Sequence, residues 1–238
     1  MIDTKNNSKN TKSSLENSFD KFYKRLLKKK LVRICIYIQF IIFYPGLILA
    51  IIIANESNPK GYNLIYNYIS DLGSVKFTPV PYIYNSIVIL TGIITIPIFL
   101  YLEEYLCSKS TRILARLGKI VFLIGSTGLF SVGIINEDFL IPALHISFSI
   151  MAFACFTIGG VISGFLIILQ KTIFPKIIGY YMTTYSLGLI ILRIFHFIPI
   201  ITLPLIEWAW FLGILIWLIP ITLNLLRDIY KYDKNVNE

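Results

Sequence analysis

Residues 34–54 read Ile34-Cys-Ile-Tyr-Ile-Gln-Phe-Ile-Ile-Phe-Tyr-Pro-Gly-Leu-Ile-Leu-Ala-Ile-Ile-Ile-Ala54, a stretch without a single charge. An apolar run of ~20 residues, wound as a helix, matches the hydrocarbon thickness of a bilayer. This run is too long for the apolar core of a cleaved signal, and no small-x-small site follows it. Five further runs lie at 81–102, 117–135, 143–169, 177–198 and 207–226. Unpaired backbone groups are costly in lipid, so each run is expected to be a helix. Long, evenly spaced runs leave no room for the short alternating strands of a barrel. The expected fold is therefore all-α, a six-helix transmembrane bundle over 34–226, between a basic arm at 1–33 and a tail at 227–238.

The composition agrees. Hydrophobic residues make up 56% of the 238 and charged residues 15%, with a mean hydropathy of +0.72. A soluble domain is nearer a quarter charged, so this chain lacks the polar groups to cover a water-facing surface. The three cysteines, Cys35, Cys107 and Cys155, lie far apart and exclude a disulfide scaffold.

The net charge of +9 is unevenly placed: ten of the 22 Lys and Arg fall between Lys5 and Arg33, directly before the first apolar run. That placement argues against a nucleic-acid partner and for the bilayer. Lys21-Phe-Tyr-Lys-Arg-Leu-Leu-Lys-Lys-Lys30 carries Phe22, Leu26 and Leu27 among its charges, a pattern suited to a short helix on a membrane surface. Such segments attract anionic lipid headgroups at roughly 1 kcal/mol per charge. Residues 1–18, rich in Asn, Ser, Lys and Thr, read as disordered. Alternate connections carry nineteen positive charges on one side and only Lys60 and Lys76 on the other. The positive-inside rule then places both termini in the cytoplasm, with the cell membrane as the expected location. Gly160-Val-Ile-Ser-Gly164 lets helix backbones approach closely, for packing within the bundle or in a homo-oligomer.

The ionisable residues outside the cytoplasmic segments gather at the opposite side. Glu56, Asp71, Glu137, Asp138 and Glu207 all fall at or beyond the outer ends of spans, as do His145 and His196. Arg193 lies one helical turn from His196. Ionisable groups near the hydrocarbon are costly, and their default reading is functional. The first outer connection places Asn63, Asn67, Ser70 and Ser74 on one helical face and Ile65, Ile69 and Leu72 on another. It is expected to form a short amphipathic interfacial helix, entered after Pro59-Lys-Gly61 and ended by Gly73.

Asn67-Tyr-Ile-Ser-Asp-Leu-Gly73 after a first span resembles the six-span membrane proteins grouped as domain of unknown function 998. The likeness continues with Asp138 at the end of the third span, His145 opening the fourth and Glu207 opening the last, over about residues 34–226. Trp208 departs from it, since members often carry a basic residue after that glutamate. The resemblance implies an architecture and candidate residues, with no activity attached.

Three readings of the outer residues follow. In a metal-dependent membrane lipid hydrolase, zinc would be held by His145, His196, Asp71 and Asp138 or Glu207, and would supply an activated water. In a b-haem protein, His145 and His196 would be the axial pair. In the third and favoured reading, the residues form a polar network or a lipid or solute pocket, with Arg193 pairing with Glu207 or Asp71. Apart from Ser126, Thr127 and Thr183-Thr184 the midplane is Ile, Leu, Phe and Gly, which disfavours ion-coupled transport. There is no phosphate loop, dinucleotide fingerprint or Gly-x-Ser-x-Gly. Asp71, Asp138, His145 and Glu207 are the leading candidates, followed by Ser70, Arg193 and His196; Ser70 has no sequence-local histidine to activate it.

Overall fold

The computed structural model describes residue 18 and residues 20–194 and 202–237. Among these residues the secondary structure is helical throughout, with no strand. Helices α1 (Lys29–Ser57), α2 (Pro81–Leu106), α3 (Arg112–Ile134) and α4 (Pro142–Leu169) are each long and apolar enough to cross a membrane. So is α6 (Leu203–Asn237), over Leu203–Lys234. Helix α5 (Lys176–Ile194) is shorter, with its apolar stretch at Lys176–Leu192; the expected span at 177–198 runs on into undescribed residues. The chain is a multi-pass integral membrane protein.

Helix α1 begins before the expected 34–54 run and contains one wide turn at Gln39–Phe43. Pro45 explains it: proline has no N–H and its ring crowds the carbonyl four residues back, so the helix widens there and does not break. Helix α6 overruns its expected span at both ends. Pro204 suits its first turn, and the segment expected as a separate tail continues the helix because Ile229 is fully buried against the core. The interfacial helix expected up to Gly73 is confined to a 3-10 turn at Ile69–Gly73. Upstream, Asn63 Oδ1 accepts the Ile65 N–H at 2.8 Å and Asn67 Oδ1 accepts the Asn63 N–H at 3.0 Å. This single turn ends at Tyr68, whose backbone is extended and whose N–H goes to the Asp71 carboxylate instead of to a helical carbonyl.

Consecutive helices pack in order from α2 to α6, and α1 closes on α2. The centre is an aromatic stack from four helices. The rings of Phe99 and Phe122 are parallel, 4.1 Å apart, with Phe156 and Trp217 beside them. A Cβ at Gly164 would lie 2.8 Å from the Gly179 carbonyl oxygen, so the Gly-x-x-x-Gly face of α4 seats α5 within the chain.

The bundle has two unlike ends. The acidic end carries the connection between α1 and α2, the turn at 135–141, and the starts of α4 and α6. The basic end carries the starts of α1, α3 and α5 and the last turns of α6. There Arg33 bonds Asp233 at 2.7 Å, Lys119 pairs with Glu103, and the Lys29 ammonium lies 3.0 Å from the Tyr232 ring centroid.

Candidate functional site

At the acidic end, α3 stops at Ile134 and the chain turns through Asn136, whose side-chain oxygen accepts the Asp138 N–H at 3.1 Å. This side-chain-braced turn sends two adjacent acids to different partners. Glu137 Oε1 accepts a hydrogen bond from Ser70 Oγ at 2.6 Å. Asp138 accepts from Ser74 Oγ at 2.7 Å and from the Val75 N–H at 2.8 Å. The loop between α1 and α2 is thereby fastened to the α3–α4 turn by both carboxylates.

Other bonds fasten the same loop to the helices. Asn85 donates to the Gly73 carbonyl at 3.0 Å, and the Trp208 indole N–H donates to the Asn67 carbonyl at 3.0 Å. Tyr62 donates its hydroxyl to the Tyr68 carbonyl at 2.6 Å and packs edge-on against Trp208. Ile69 and Leu72 are buried among Phe43, Leu47, Tyr84, Val88 and Trp208, in an apolar cluster of their own.

Asp71 is buried within this 3-10 turn. One of its oxygens accepts from Asn67 Nδ2 at 3.1 Å and from the Tyr68 N–H at 3.0 Å. The Glu137 carboxyl, which lines the space in front of this turn, lies beside it. Burial, and then the negative charge of Glu137, push Asp71 from its ordinary 3.8 up to about 7. Glu207, in the first turns of α6, lies near Ser70 and lines the same space as Glu137.

Helix α4 starts on Pro142, which places His145 in its first turn. His145 is 6% exposed, and its Nδ1 lies 2.6 Å from the Ile135 carbonyl oxygen. A carbonyl only accepts, so Nδ1 carries the proton; in the neutral ring Nε2 is then an acceptor.

These residues surround an open cavity of about 870 Å³ between α4 and α6. Ser70, Glu137, His145, Ser149 and Glu207 supply its polar lining, with Lys76 at the rim. Ile146, Ile150, Phe153, Leu203 and Trp210 supply apolar walls. The volume is that of a site for a small organic ligand.

Of the candidates read from the sequence, Ser70, His145 and Glu207 line this cavity. Asp71 stands behind it, joined through Glu137. Asp138 is exposed and is not among the lining residues; it clamps residues 74–75. His196 and the side chain of Arg193 lie outside the described residues. Glu137, in the cavity wall, was passed over for its neighbour Asp138; no sequence signal separates two adjacent acids in one turn. Among the described residues no three His, Cys, Asp or Glu side chains are grouped to hold a metal ion. The histidine pair a haem would need includes the undescribed His196.

A family model described as Protein of unknown function (DUF998) matches residues 44–224. The chain belongs to that family. The match spans every residue that builds the acidic end, from the loop after α1 to Glu207, and leaves out the basic arm and the last turns of α6. No curated protein and no solved structure matches the chain.

Proposed function

We infer that the protein is a six-span membrane protein of the cell membrane, with both termini cytoplasmic and the acidic end facing outward. There its cavity receives a lipid or membrane-soluble solute. The excess of Lys and Arg at the opposite end supports the orientation. The same excess supports contact of the basic arm with anionic headgroups. Ser70, Glu137, His145 and Glu207 are the polar contacts of the pocket, Asp71 stands behind Glu137, and Asp138 holds the loop in place. The observation that carries this reading is one cavity with a polar floor and apolar walls. In its walls Ile146 and Ile150 are 56% and 62% exposed; on a membrane-spanning helix such residues face acyl chains.

Cysteine labelling tests the reading. In intact cells, Lys76→Cys and Ser149→Cys should react with an impermeant thiol reagent, while native Cys107 should not. Label on Cys107 alone would invert the orientation, and an unreactive Ser149→Cys beside a reactive Lys76→Cys would close the pocket.

A further inference from the structure

The cavity lining is strongly biased in its hydrogen-bonding character. Glu137 accepts the Ser70 hydroxyl and Glu207 lies in the same lining, and a carboxylate offers about four lone-pair sites. His145 is 6% exposed, its Nδ1 is engaged by the Ile135 carbonyl, and Nε2 has no partner among the described residues. Nε2 sits on the opposite edge of the ring, so it is the nitrogen this buried side chain offers to the cavity it lines. Three acceptor groups on three elements therefore border one space. The ion pairs among the described residues, Arg33 with Asp233 and Lys119 with Glu103, are both at the basic end. The one basic side chain in the lining, Lys76, is exposed at the rim.

The walls specify the rest of the ligand. Ile146, Ile150 and Phe153 recur at i, i+4 and i+7 along α4, and Leu203, Ile206 and Trp210 at i, i+3 and i+7 along α6. Each set makes one helical face, so two apolar stripes run down from the polar floor. Leu203 is 41% exposed, like Ile146 and Ile150 on the other wall, which leaves the space between the stripes open to the bilayer. A molecule fitting both parts has a chain for the stripes and a head that donates hydrogen bonds. It also carries positive charge, because buried carboxylates are stabilised by a paired cation.

We propose that the cavity binds an amphiphile with a protonated amine head, the ammonium seated among Glu137, Glu207 and His145 and the alkyl chain lying between α4 and α6. The proposal rests on the pocket reading above and narrows it to one ligand chemistry. An anionic head would face two carboxylates and find donors only in Lys76 at the rim, the Ser149 hydroxyl and the Trp210 indole N–H, and a neutral hydroxyl would bring no charge to either acid.

The test uses the full chain in phosphatidylcholine nanodiscs, titrated with three amphiphiles bearing the same bromine-labelled twelve-carbon chain: an amine, an alcohol and a phosphate. Saturable quenching of tryptophan fluorescence, from Trp208 and Trp210 beside the cavity, reads occupancy. The amine should bind at least about tenfold more tightly than the alcohol or the phosphate. Glu207→Gln and Glu137→Gln should each weaken the amine by about tenfold and the alcohol far less, with unchanged thermal melting of the nanodisc-held variants showing that they fold. Alcohol or phosphate binding as tight as the amine would overturn the head-group assignment and leave the pocket standing. No saturable quenching by any of the three would overturn the pocket with it.

Discussion

The two ends of the bundle handle charge in opposite ways. At the basic end, charges meet charges or aromatic rings: Arg33 with Asp233, Lys119 with Glu103, Lys29 over Tyr232, and Asp228 with the Tyr105 hydroxyl. Each contact joins two elements by pairing opposite charges, a charge with a ring, or an acid with a hydroxyl. At the acidic end, carboxylates are held by hydroxyls and backbone N–H groups that satisfy only part of their capacity, around a space large enough for a ligand. A self-paired end serves cohesion. An end with acceptor capacity left over is built to receive something, and the two should respond differently to mutation.

The largest difference should come from Trp208, which is 3% exposed and joins α6 to the loop through Asn67. Trp208→Ala should cost about 3–5 kcal/mol. Amide exchange should accelerate across 58–80 while the basic end stays protected; uniform loss of protection would erase the distinction between the ends. Next comes Asp138→Ala, which removes two charge-assisted bonds to Ser74 and Val75. About 2–3 kcal/mol should be lost, again read as faster exchange in the loop.

Protonation sharpens the comparison further. Because burial and Glu137 raise Asp71 in the folded protein from 3.8 to about 7, the folded state binds that proton more tightly than the unfolded one. The resulting stability is fully present below about pH 4 and is lost as pH rises through about 7. Thermal unfolding of the wild type minus that of Asp71→Asn should therefore shift by a few degrees over this window; a flat difference would remove the raised Asp71 from the account. The smallest effect belongs to the basic end, where the Arg33–Asp233 pair is partly exposed. Arg33→Gln should cost no more than about 1 kcal/mol, measured by the same melts.

The helical class and the positions of the apolar runs were legible in the sequence because hydrocarbon length and backbone pairing leave few alternatives. The ends of the helices were less so. Pro45 reads as a breaker, yet one wide turn absorbs it. The continuation of α6 past Leu226 depends on tertiary burial of Ile229, which the charges around it conceal. The loop misled for a related reason: Asn63 and Asn67 sit at helical spacing, but the chain turns extended at Tyr68, whose N–H is taken by Asp71.

At the site, Ser70, His145 and Glu207 were legible because a polar group at a span's end is conspicuous. Which carboxylate of the Glu137-Asp138 pair faces the cavity depends on a single turn around Asn136, and that turn leaves no periodic trace. Trp208 was noticed only as a departure from a pattern, although its indole N–H holds the loop.

The central claim is that the acidic end encloses a ligand space, and occupancy tests it most directly. Native mass spectrometry of the protein released from membrane nanodiscs should show about one retained amphiphile per chain. Ser149→Trp, which fills the cavity from its α4 wall, should abolish that adduct while leaving the protein folded and monodisperse. The same adduct at the same occupancy in both proteins would contradict the account.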